Sequence, residues 1–296
     1  MSELETFGNY HLIKKIAQGG MAEIFLASLK GNENQFFVLK RILPHLLEKK
    51  NYLNMFLDEV KIAKRLKHSN IVQTFDSGQV DGRYYLVLEY VNGITLSQLV
   101  YFAKKANYQL PSSVIAYIGA HVLKGLQHAH SLADDRGVLL QIVHRDVNPQ
   151  NVMLSYEGQI KLLDFGIYKG KQRLTETEVG LTKGKLSYMS PEQAKGDPLD
   201  GRSDLFAMAI IMYEMLQGGK KLFHRSDSNP AAVLNDIVHG KVVPIREKNP
   251  AADERISNII MKALSKKPSQ RFLDARDMQL ELEKFLAAQT DKIDAL

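Results

Sequence analysis

The 296-residue sequence contains no cysteine and no tryptophan. Without cysteine the chain can form neither disulfide bonds nor thiolate metal sites, which agrees with a reducing compartment, so we expect a cytoplasmic protein. No apolar run is long enough to cross a bilayer, since residues 206–213, the best candidate, are flanked by acidic residues and suit a buried helix better. The acidic N-terminus also lacks the apolar core of a secretory signal. We therefore expect no membrane segment in this chain.

The formal net charge of +6 raises the question of nucleic-acid binding. Lysine and arginine are spread along the chain, however, and no motif interleaves basic with aromatic residues. We therefore expect a solvated basic surface and no nucleic-acid partner. A hydrophobic fraction of 45% and a charged fraction of 24% are typical of a globular protein with a sizeable core.

Strand patterns dominate the first third of the chain and helical periodicity dominates the rest. This order predicts an α+β fold of two lobes, the first an antiparallel sheet with one main helix and the second mostly helical. We place an N-terminal extension at residues 1–9, the first lobe at 10–91, the second at 92–288 and a tail at 289–296. The predicted strands are 10–17, 23–29, 35–41, 71–75 and 84–90, and the predicted helices are 51–67, 112–130, 204–217, 231–238, 255–264 and 275–288.

The most informative segment is residues 144–151, which read His-Arg-Asp-Val-Asn-Pro-Gln-Asn, followed by Asp-Phe-Gly at 164–166. The residues between them predict two short strands around a glycine-containing turn. In such a hairpin Asn151 opens the first strand and Asp164 closes the second, so both side chains arrive at the same end, with Asp146 just outside it. One carboxamide and two carboxylates at a strand edge suit a hard divalent cation and a proton acceptor.

These residues resemble the catalytic and metal loops of protein kinases, whose pattern is H-R-D-x-x-x-x-N followed by D-F-G. A surface loop with ordinary turn residues would explain one tripeptide, but not eight residues in pattern with Asp-Phe-Gly at the proper distance. The resemblance implies that Asp146 accepts or orients the proton of a substrate hydroxyl. It also implies that Asn151 and Asp164 hold Mg²⁺, or Mn²⁺ in its place, on ATP.

Residues 16–24 resemble the glycine-rich loop of the family, G-x-G-x-x-G-x-V, and Ile16, Gly19, Gly20 and Ile24 would contact the nucleotide. Ala17 and Ala22 replace the first and third glycines. Taken alone the segment is better explained by an ordinary hairpin turn. Because a positive φ is costly for alanine, we expect a stiffer or weaker phosphate clamp than is usual.

Lys40 ends a predicted strand and resembles the kinase lysine that pairs with the α- and β-phosphates. A strand-terminal surface lysine is the plain alternative. Glu59, however, falls in the middle of the apolar face of the next helix, where a carboxylate needs a cation. The two resemble the lysine–glutamate ion pair of an assembled kinase. Val38 replaces the usual alanine above the adenine, which predicts a tighter pocket.

Residues 86–93 resemble the strand and hinge that hold adenine. By position, the backbone of Glu89 and Val91 would hydrogen-bond the base. Leu88 would guard the back of the pocket, and Met153 would close it from below. An apolar edge strand would have the same sequence pattern.

Two positions depart from the family pattern. Serine/threonine kinases usually carry a lysine two residues after the catalytic aspartate, where this chain has Asn148, and a threonine where it has Lys185. Because these positions meet beside the catalytic aspartate in the family, Lys185 is a candidate to supply the cation that Asn148 cannot. A solvent-exposed Lys185 in a slower enzyme is the alternative.

Later motifs extend the resemblance over residues 10–288. Ser190-Pro191-Glu192 resembles the A-P-E element, whose glutamate pairs with a late arginine, here Arg271. Asp204 resembles the aspartate that braces the backbone of the catalytic loop. Arg145 resembles the arginine that binds an activation-loop phosphate, for which Thr175, Thr177 and Thr182 are the candidates.

The resemblance implies a serine/threonine protein kinase similar to the bacterial branch of the family, with ATP and a protein substrate as partners. Its residues 147–150 differ from the tyrosine-kinase pattern at that position. A weakly active pseudokinase that serves as a binding scaffold is the first alternative, supported by Val38, Asn148, Tyr168 and the altered glycine loop. A small-molecule kinase is the second, although residues 184–192, which resemble a peptide-docking segment, would have no purpose there.

Overall fold

The computed structural model of the chain describes residues 5–47, 50–165, 186–223 and 229–293. These residues form two compact units, one ending at Asn92 and the other beginning at Gly93. The first is built mainly of strands and the second mainly of helices, which confirms the predicted α+β fold class.

The first unit contains a six-stranded antiparallel sheet in the order β1-β2-β3-β4-β6-β5. A short helix α1 and a longer helix α2 follow β4. The sequence did not indicate β1, whose Phe7 is buried. The elements are β1 (Glu5–Phe7), β2 (Tyr10–Gln18), β3 (Ala22–Leu29), β4 (Asn32–Ile42), α1 (Pro44–Leu47), α2 (Lys50–Arg65), β5 (Thr74–Val80) and β6 (Arg83–Glu89).

Each face of this sheet has its own apolar cluster, because side chains alternate along a strand. On one face Tyr10, Phe37 and Val87 pack with aromatic neighbours. On the other face Leu86 packs with Phe56 of α2, so the helix covers that side.

The strand predicted at residues 71–75 was wrong in position, because the ladder runs from Thr74 to Val80. Ile71 is buried but lies outside the strand. Gly78 lies in the middle of β5 opposite Tyr85, and a Cβ there would come within 2.9 Å of the tyrosine hydroxyl oxygen. A glycine that accommodates a cross-strand ring is indistinguishable from a turn glycine in the sequence.

The second unit is built around α6, in which every residue after Arg202 is buried. The apolar run 206–213 therefore forms a buried helix, as predicted. The long helix α4 packs against α6 and α10. None of the described helices combines the length and apolarity that a membrane span requires. The helices are α3 (Leu96–Lys105), α4 (Ser112–His130), α5 (Pro191–Lys195), α6 (Arg202–Leu216), α7 (Pro230–His239), α8 (Ile245–Lys248), α9 (Glu254–Ala263) and α10 (Ala275–Ile293).

A small antiparallel sheet in the second unit positions the segment that contains Asp146. It consists of β7 (Gly93–Thr95), β8 (Val152–Ser155) and β9 (Ile160–Leu162), in that order. Gly93 is required for the close approach of β7 to β8, because a Cβ there would lie 2.0 Å from the carbonyl oxygen of Leu154. The predicted hairpin between Asn151 and Asp164 is thus the β8–β9 pair.

Candidate active site

Asp204, near the start of α6, fixes the backbone of the segment that contains Asp146. Its carboxylate accepts hydrogen bonds from the amides of His144 at 2.8 Å and Arg145 at 2.9 Å. His130 Nε2, at the end of α4, lies 2.8 Å from the same carboxylate and donates to it. Burial disfavours the ionised carboxylate, but the bond from His130 and the nearby amides and histidines outweigh it and hold the pKa of Asp204 below its ordinary value. The predicted brace is confirmed.

His144 joins this segment to the strand end before Asp164. Its Nε2 lies 2.9 Å from the carbonyl oxygen of Leu163 and donates to it, while Nδ1 accepts from the amide of Asp146 at 3.3 Å. This pattern requires the neutral imidazole, and burial lowers the pKa of His144 in the same direction. The ring centroid lies 4.5 Å from that of Phe165, so the histidine is held by packing as well.

Asp146 is held by two asparagine side chains. Asn151 Nδ2 donates to the carbonyl oxygen of Asp146 at 2.9 Å and to its carboxylate at 3.2 Å. Asn148 Nδ2 donates to the same carbonyl at 2.9 Å, and its Oδ1 accepts from the amide of Gln150. Asn148 therefore caps the 3₁₀ turn Pro149–Asn151 and stiffens the loop around the carboxylate. The sequence reasoning did not assign it this role.

The hairpin brings Asn151 to the strand end that precedes Asp164, as predicted. Val152 pairs with Leu162, and the Leu163 amide donates to the carbonyl oxygen of Asn151 at 2.9 Å. Asp164 is exposed and has a φ of +33°. Arg145 has a φ of +63°. Two non-glycine residues in this rare region, one on each side of the hairpin, indicate strain of about 1–3 kcal/mol each, which is characteristic of functional sites.

The donor set of this site fits Mg²⁺ on a nucleotide. Because Nδ2 of Asn151 is committed to Asp146, its Oδ1 is the atom that would face a cation, and Asp164 adds an exposed carboxylate. No group of three or more histidine, aspartate or glutamate side chains suited to a metal exists in the described part of the chain. Mg²⁺ needs only one or two protein ligands when waters and phosphates complete its shell.

Glu192 and Arg271 form the predicted ion pair. Arg271 Nη1 and Nη2 lie 2.6 and 2.8 Å from the two carboxylate oxygens, and the Ser203 hydroxyl also donates to the carboxylate at 2.6 Å. Burial opposes ionisation of Glu192, but the bonds from Arg271 and Ser203 dominate and lower its pKa. The pair connects α5 to the segment before α10.

In the first unit, Lys40 is half-buried on β4, where it pairs with Ile24 of β3 and Leu86 of β6. It therefore shares the sheet face that α2 covers, since Leu86 packs against that helix. Glu59 belongs to α2, but its side chain lies outside the described residues. The Lys40–Glu59 ion pair stays a prediction, although both residues lie on elements that face each other.

The glycine-loop segment is a turn between β2 and β3. The amide of Gly19 donates to the carbonyl oxygen of Ala22 at 2.9 Å, and Gly20 has open space around it. Ala17 and Ala22 both lie in strands and neither has a positive φ, so the backbone cost behind this expectation does not arise; the stiffer or weaker phosphate clamp stays a prediction. Alanine therefore costs little here in the conformation observed.

The other predicted nucleotide residues lie on strands. Val38 of β4 is half-buried between Leu26 of β3 and Leu88 of β6. The amide of Glu89 donates to Gln73 at 2.8 Å, so a contact of Glu89 with a base would use its carbonyl. The remaining residues are exposed Ile16, half-buried Ile24, buried Val91 and, in the second unit, half-buried Met153 on β8.

Several predicted residues lie outside the described part of the chain. They are Lys185, Tyr168 and the three candidate phosphorylation sites Thr175, Thr177 and Thr182. Two contacts were not predicted from the sequence. One is the hydrogen bond between His130 and Asp204, and the other is a bond from Gln193 Nε2 to the carbonyl oxygen of Arg145 at 3.0 Å. No local pattern marks them, because each joins residues 48 or more positions apart.

The fold and this site define a protein kinase domain. The protein kinase domain family model matches residues 10–279, and the chain belongs to that family. It is homologous to the bacterial Hanks-type serine/threonine kinases, which confirms the resemblance.

Two curated relatives show the range of the family around this chain. The tyrosine-protein kinase MasK of Myxococcus xanthus is 40% identical over 96% of this chain and 44% of its own length. The serine/threonine-protein kinase PrkC of Bacillus subtilis is 31% identical over 93% of this chain and 40% of its own length. The chain thus spans about two fifths of the length of these relatives.

A solved structure shares the fold over nearly the whole chain. The kinase domain of Mycobacterium tuberculosis PknI has a TM-score of 0.69 and 26% identity, covering 96% of this chain and 98% of the PknI chain.

Proposed function

We propose that this chain transfers the γ-phosphate of ATP to serine or threonine hydroxyls of a protein substrate. The observation that carries the proposal is the arrangement in which Asn151 holds Asp146 at one end of the hairpin that leads to Asp164. A fixed carboxylate beside two hard oxygen donors can orient a hydroxyl while a Mg²⁺-bound phosphate approaches.

Each residue has one role in this scheme. Asp146 orients the hydroxyl and accepts its proton. Asn151 and Asp164 would hold Mg²⁺, which when bound would supply positive charge to the phosphates of the nucleotide. Lys40 pairs with the α- and β-phosphates. Neutral His144 and ionised Asp204 touch no reactant and keep the loop in place.

Both polar atoms of the Asn148 side chain are committed to the loop, and the side chain carries no charge with which to pair a γ-phosphate. Lys185 is our candidate for the missing cation. We expect Lys185→Ala to lower the rate of transfer, whereas Lys183→Ala, which removes a neighbouring lysine, leaves the rate near that of the wild type. Equal rates for both variants would contradict the proposal.

Tyrosine is the second candidate acceptor, favoured by the 40% identity to a relative named as a tyrosine kinase. Serine or threonine is favoured by relatives such as PrkC and by residues 147–150. Phosphoamino-acid analysis of the labelled products, from autophosphorylation and from a generic basic protein, distinguishes the two.

The central experiment compares the wild type with Asp146→Asn in transfer of labelled phosphate from Mg-ATP. The asparagine keeps the size of the side chain and removes its charge, so we expect a loss of about 10²-fold or more. If the protein binds nucleotide but the wild type transfers no more phosphate than Asp146→Asn, the pseudokinase alternative is favoured. Transfer to a small metabolite but never to protein would favour a small-molecule kinase.

We further propose that phosphorylation at Thr175, Thr177 or Thr182 regulates transfer through Arg145. Mass spectrometry after incubation with Mg-ATP should find phosphate on at least one of the three, and loss of that threonine should lower activity. Phosphate found only elsewhere in the chain would refute this.

A further inference from the structure

A cavity of about 170 Å³ lies between α3, α6 and the catalytic loop in the second unit. Pro149, three residues after Asp146, forms part of its wall, with Tyr101 and Lys104 of α3 and Glu214 of α6. Lys221 also lines the cavity. An engineered cavity of about 150 Å³ accepts a benzene-sized molecule, so this one has room for a single side chain.

The carboxylate in this wall is already neutralised from within the chain. Glu214 is buried, and its Oε2 accepts from the Tyr188 hydroxyl at 2.8 Å and from Lys221 Nζ at 2.9 Å. Its Oε1 accepts from the amide of Leu222 at 3.1 Å. Burial and the charge of Glu214 raise the pKa of Tyr188, so its hydroxyl stays protonated and donates. Three of the roughly four acceptor positions of this carboxylate are therefore occupied, and Lys221 already balances its charge, so Glu214 offers little to a positively charged ligand.

Lys221 is held in place but remains accessible. Its ammonium contacts the Tyr188 hydroxyl oxygen and lies 4.7 Å from the centroid of that ring, yet 45% of its side chain is exposed. Lys104 is exposed on the other wall and has no ion-pair partner among the residues that the structure describes. Exposed Tyr101 adds an apolar rim. The lining carries two lysines against one glutamate, a net charge of +1.

We propose that this cavity selects protein substrates that carry an acidic side chain near the phosphorylated hydroxyl, with Lys221 and Lys104 as the specificity-determining residues. The proposal deepens the proposed kinase activity and rests on it. A substrate carboxylate that enters beside Pro149 is attracted by the ammonium groups of Lys104 and Lys221. A substrate lysine or arginine is repelled by the same two groups, and the charge of Glu214 is already neutralised by Lys221. The cavity therefore accepts one charge sign and rejects the other.

The test compares peptides that share one acceptor residue in an alanine-rich background and differ by glutamate or lysine at one position at a time. At the peptide position that reaches the cavity, we expect the wild-type chain to phosphorylate the glutamate peptide about fivefold faster than the lysine peptide at low salt. The difference between the two peptides should be smaller at high salt. Lys221→Met keeps the aliphatic stem, leaves Glu214 unneutralised and should abolish the preference. Lys104→Met together with Lys221→Met should reverse it.

The matched control is Lys220→Met, which removes the same charge from the adjacent exposed residue outside the cavity. It should keep the wild-type preference, and Lys221→Arg should restore it. No preference in the wild type, a preference for lysine, or equal loss in Lys220→Met and Lys221→Met would overturn the proposal.

Peptide binding separates this proposal from the kinase activity itself. Fluorescence anisotropy with the labelled glutamate peptide should show weaker binding to Lys221→Met than to the wild type, independent of phosphate transfer. If no peptide is phosphorylated, Lys221-dependent binding would still support the cavity and refute only the activity. Equal binding to both forms would refute the cavity.

Discussion

Replacing Arg271 with methionine tests the reasoning about buried charge most directly. The guanidinium uses all five of its donors, two on Glu192 and the others on the carbonyl oxygens of Ser265, Lys266 and Arg202. The side chain is completely buried. Methionine fills similar space but leaves the carboxylate and three carbonyls without this partner.

Removal of one partner from a buried ion pair costs about 3–5 kcal/mol, because an uncompensated charge remains. With an m-value of about 3 kcal/mol/M, the urea midpoint should fall by about 1–1.7 M. The double variant Arg271→Met/Glu192→Gln should recover part of the loss, since no buried charge is left. Arg276→Met, which removes an exposed arginine of α10, should shift the free energy of unfolding by less than about 0.5 kcal/mol.

The pH dependence gives an independent check. In the wild type the pKa of Glu192 lies below its ordinary value of 4.5, so the stability it contributes is present above that pH and lost as the pH falls. Without Arg271, burial raises the pKa of Glu192, and the folded variant binds a proton more readily than its unfolded chain. The loss of unfolding free energy caused by Arg271→Met should therefore become smaller as the pH falls from neutral to about 5. A loss of unfolding free energy below about 1 kcal/mol, or a loss independent of pH, would show that Arg271 does not compensate the buried charge of Glu192.

Three further predictions concern the catalytic loop and the sheet beside it. Gly93→Ala should lower the melting temperature sharply, because the added Cβ would overlap the neighbouring strand. Gly20→Ala is the control and should not lower it, because the space around Gly20 is open. Equal melting temperatures for the two variants would contradict the packing described. Asn148→Ala should destabilise the second unit by about 1–2 kcal/mol in urea unfolding, since a cap and a buried hydrogen bond are lost. Asp204→Asn should speed hydrogen exchange at the amides of residues 144 and 145, because one of their two carboxylate acceptors becomes a donor; unchanged protection would mean that other contacts hold the loop.

Local pattern was sufficient for much of the fold. Helix α4 has the predicted bounds, because a long apolar period begins after Pro111. The buried α6 was evident from an unbroken apolar run. Strand β5 was misplaced because a glycine in the sequence usually indicates a turn, whereas Gly78 lies within the strand and leaves room for the ring of Tyr85. Residues 144–151 and 164–166 identified the family without any structure, because the functional side chains lie in two short segments that are close together in the sequence.

The order of amino acids specifies which chemical groups are available: the carboxylates of Asp146 and Asp164, the carboxamide of Asn151 and the lysine on β4. How these groups are held depends on contacts between residues far apart in the chain. Asp204 reaches His144 across 60 positions of the chain, and Lys221 neutralises Glu214 beside the catalytic loop. These contacts depend on how buried helices pack, and packing brings together residues whose positions in the sequence carry no common signal.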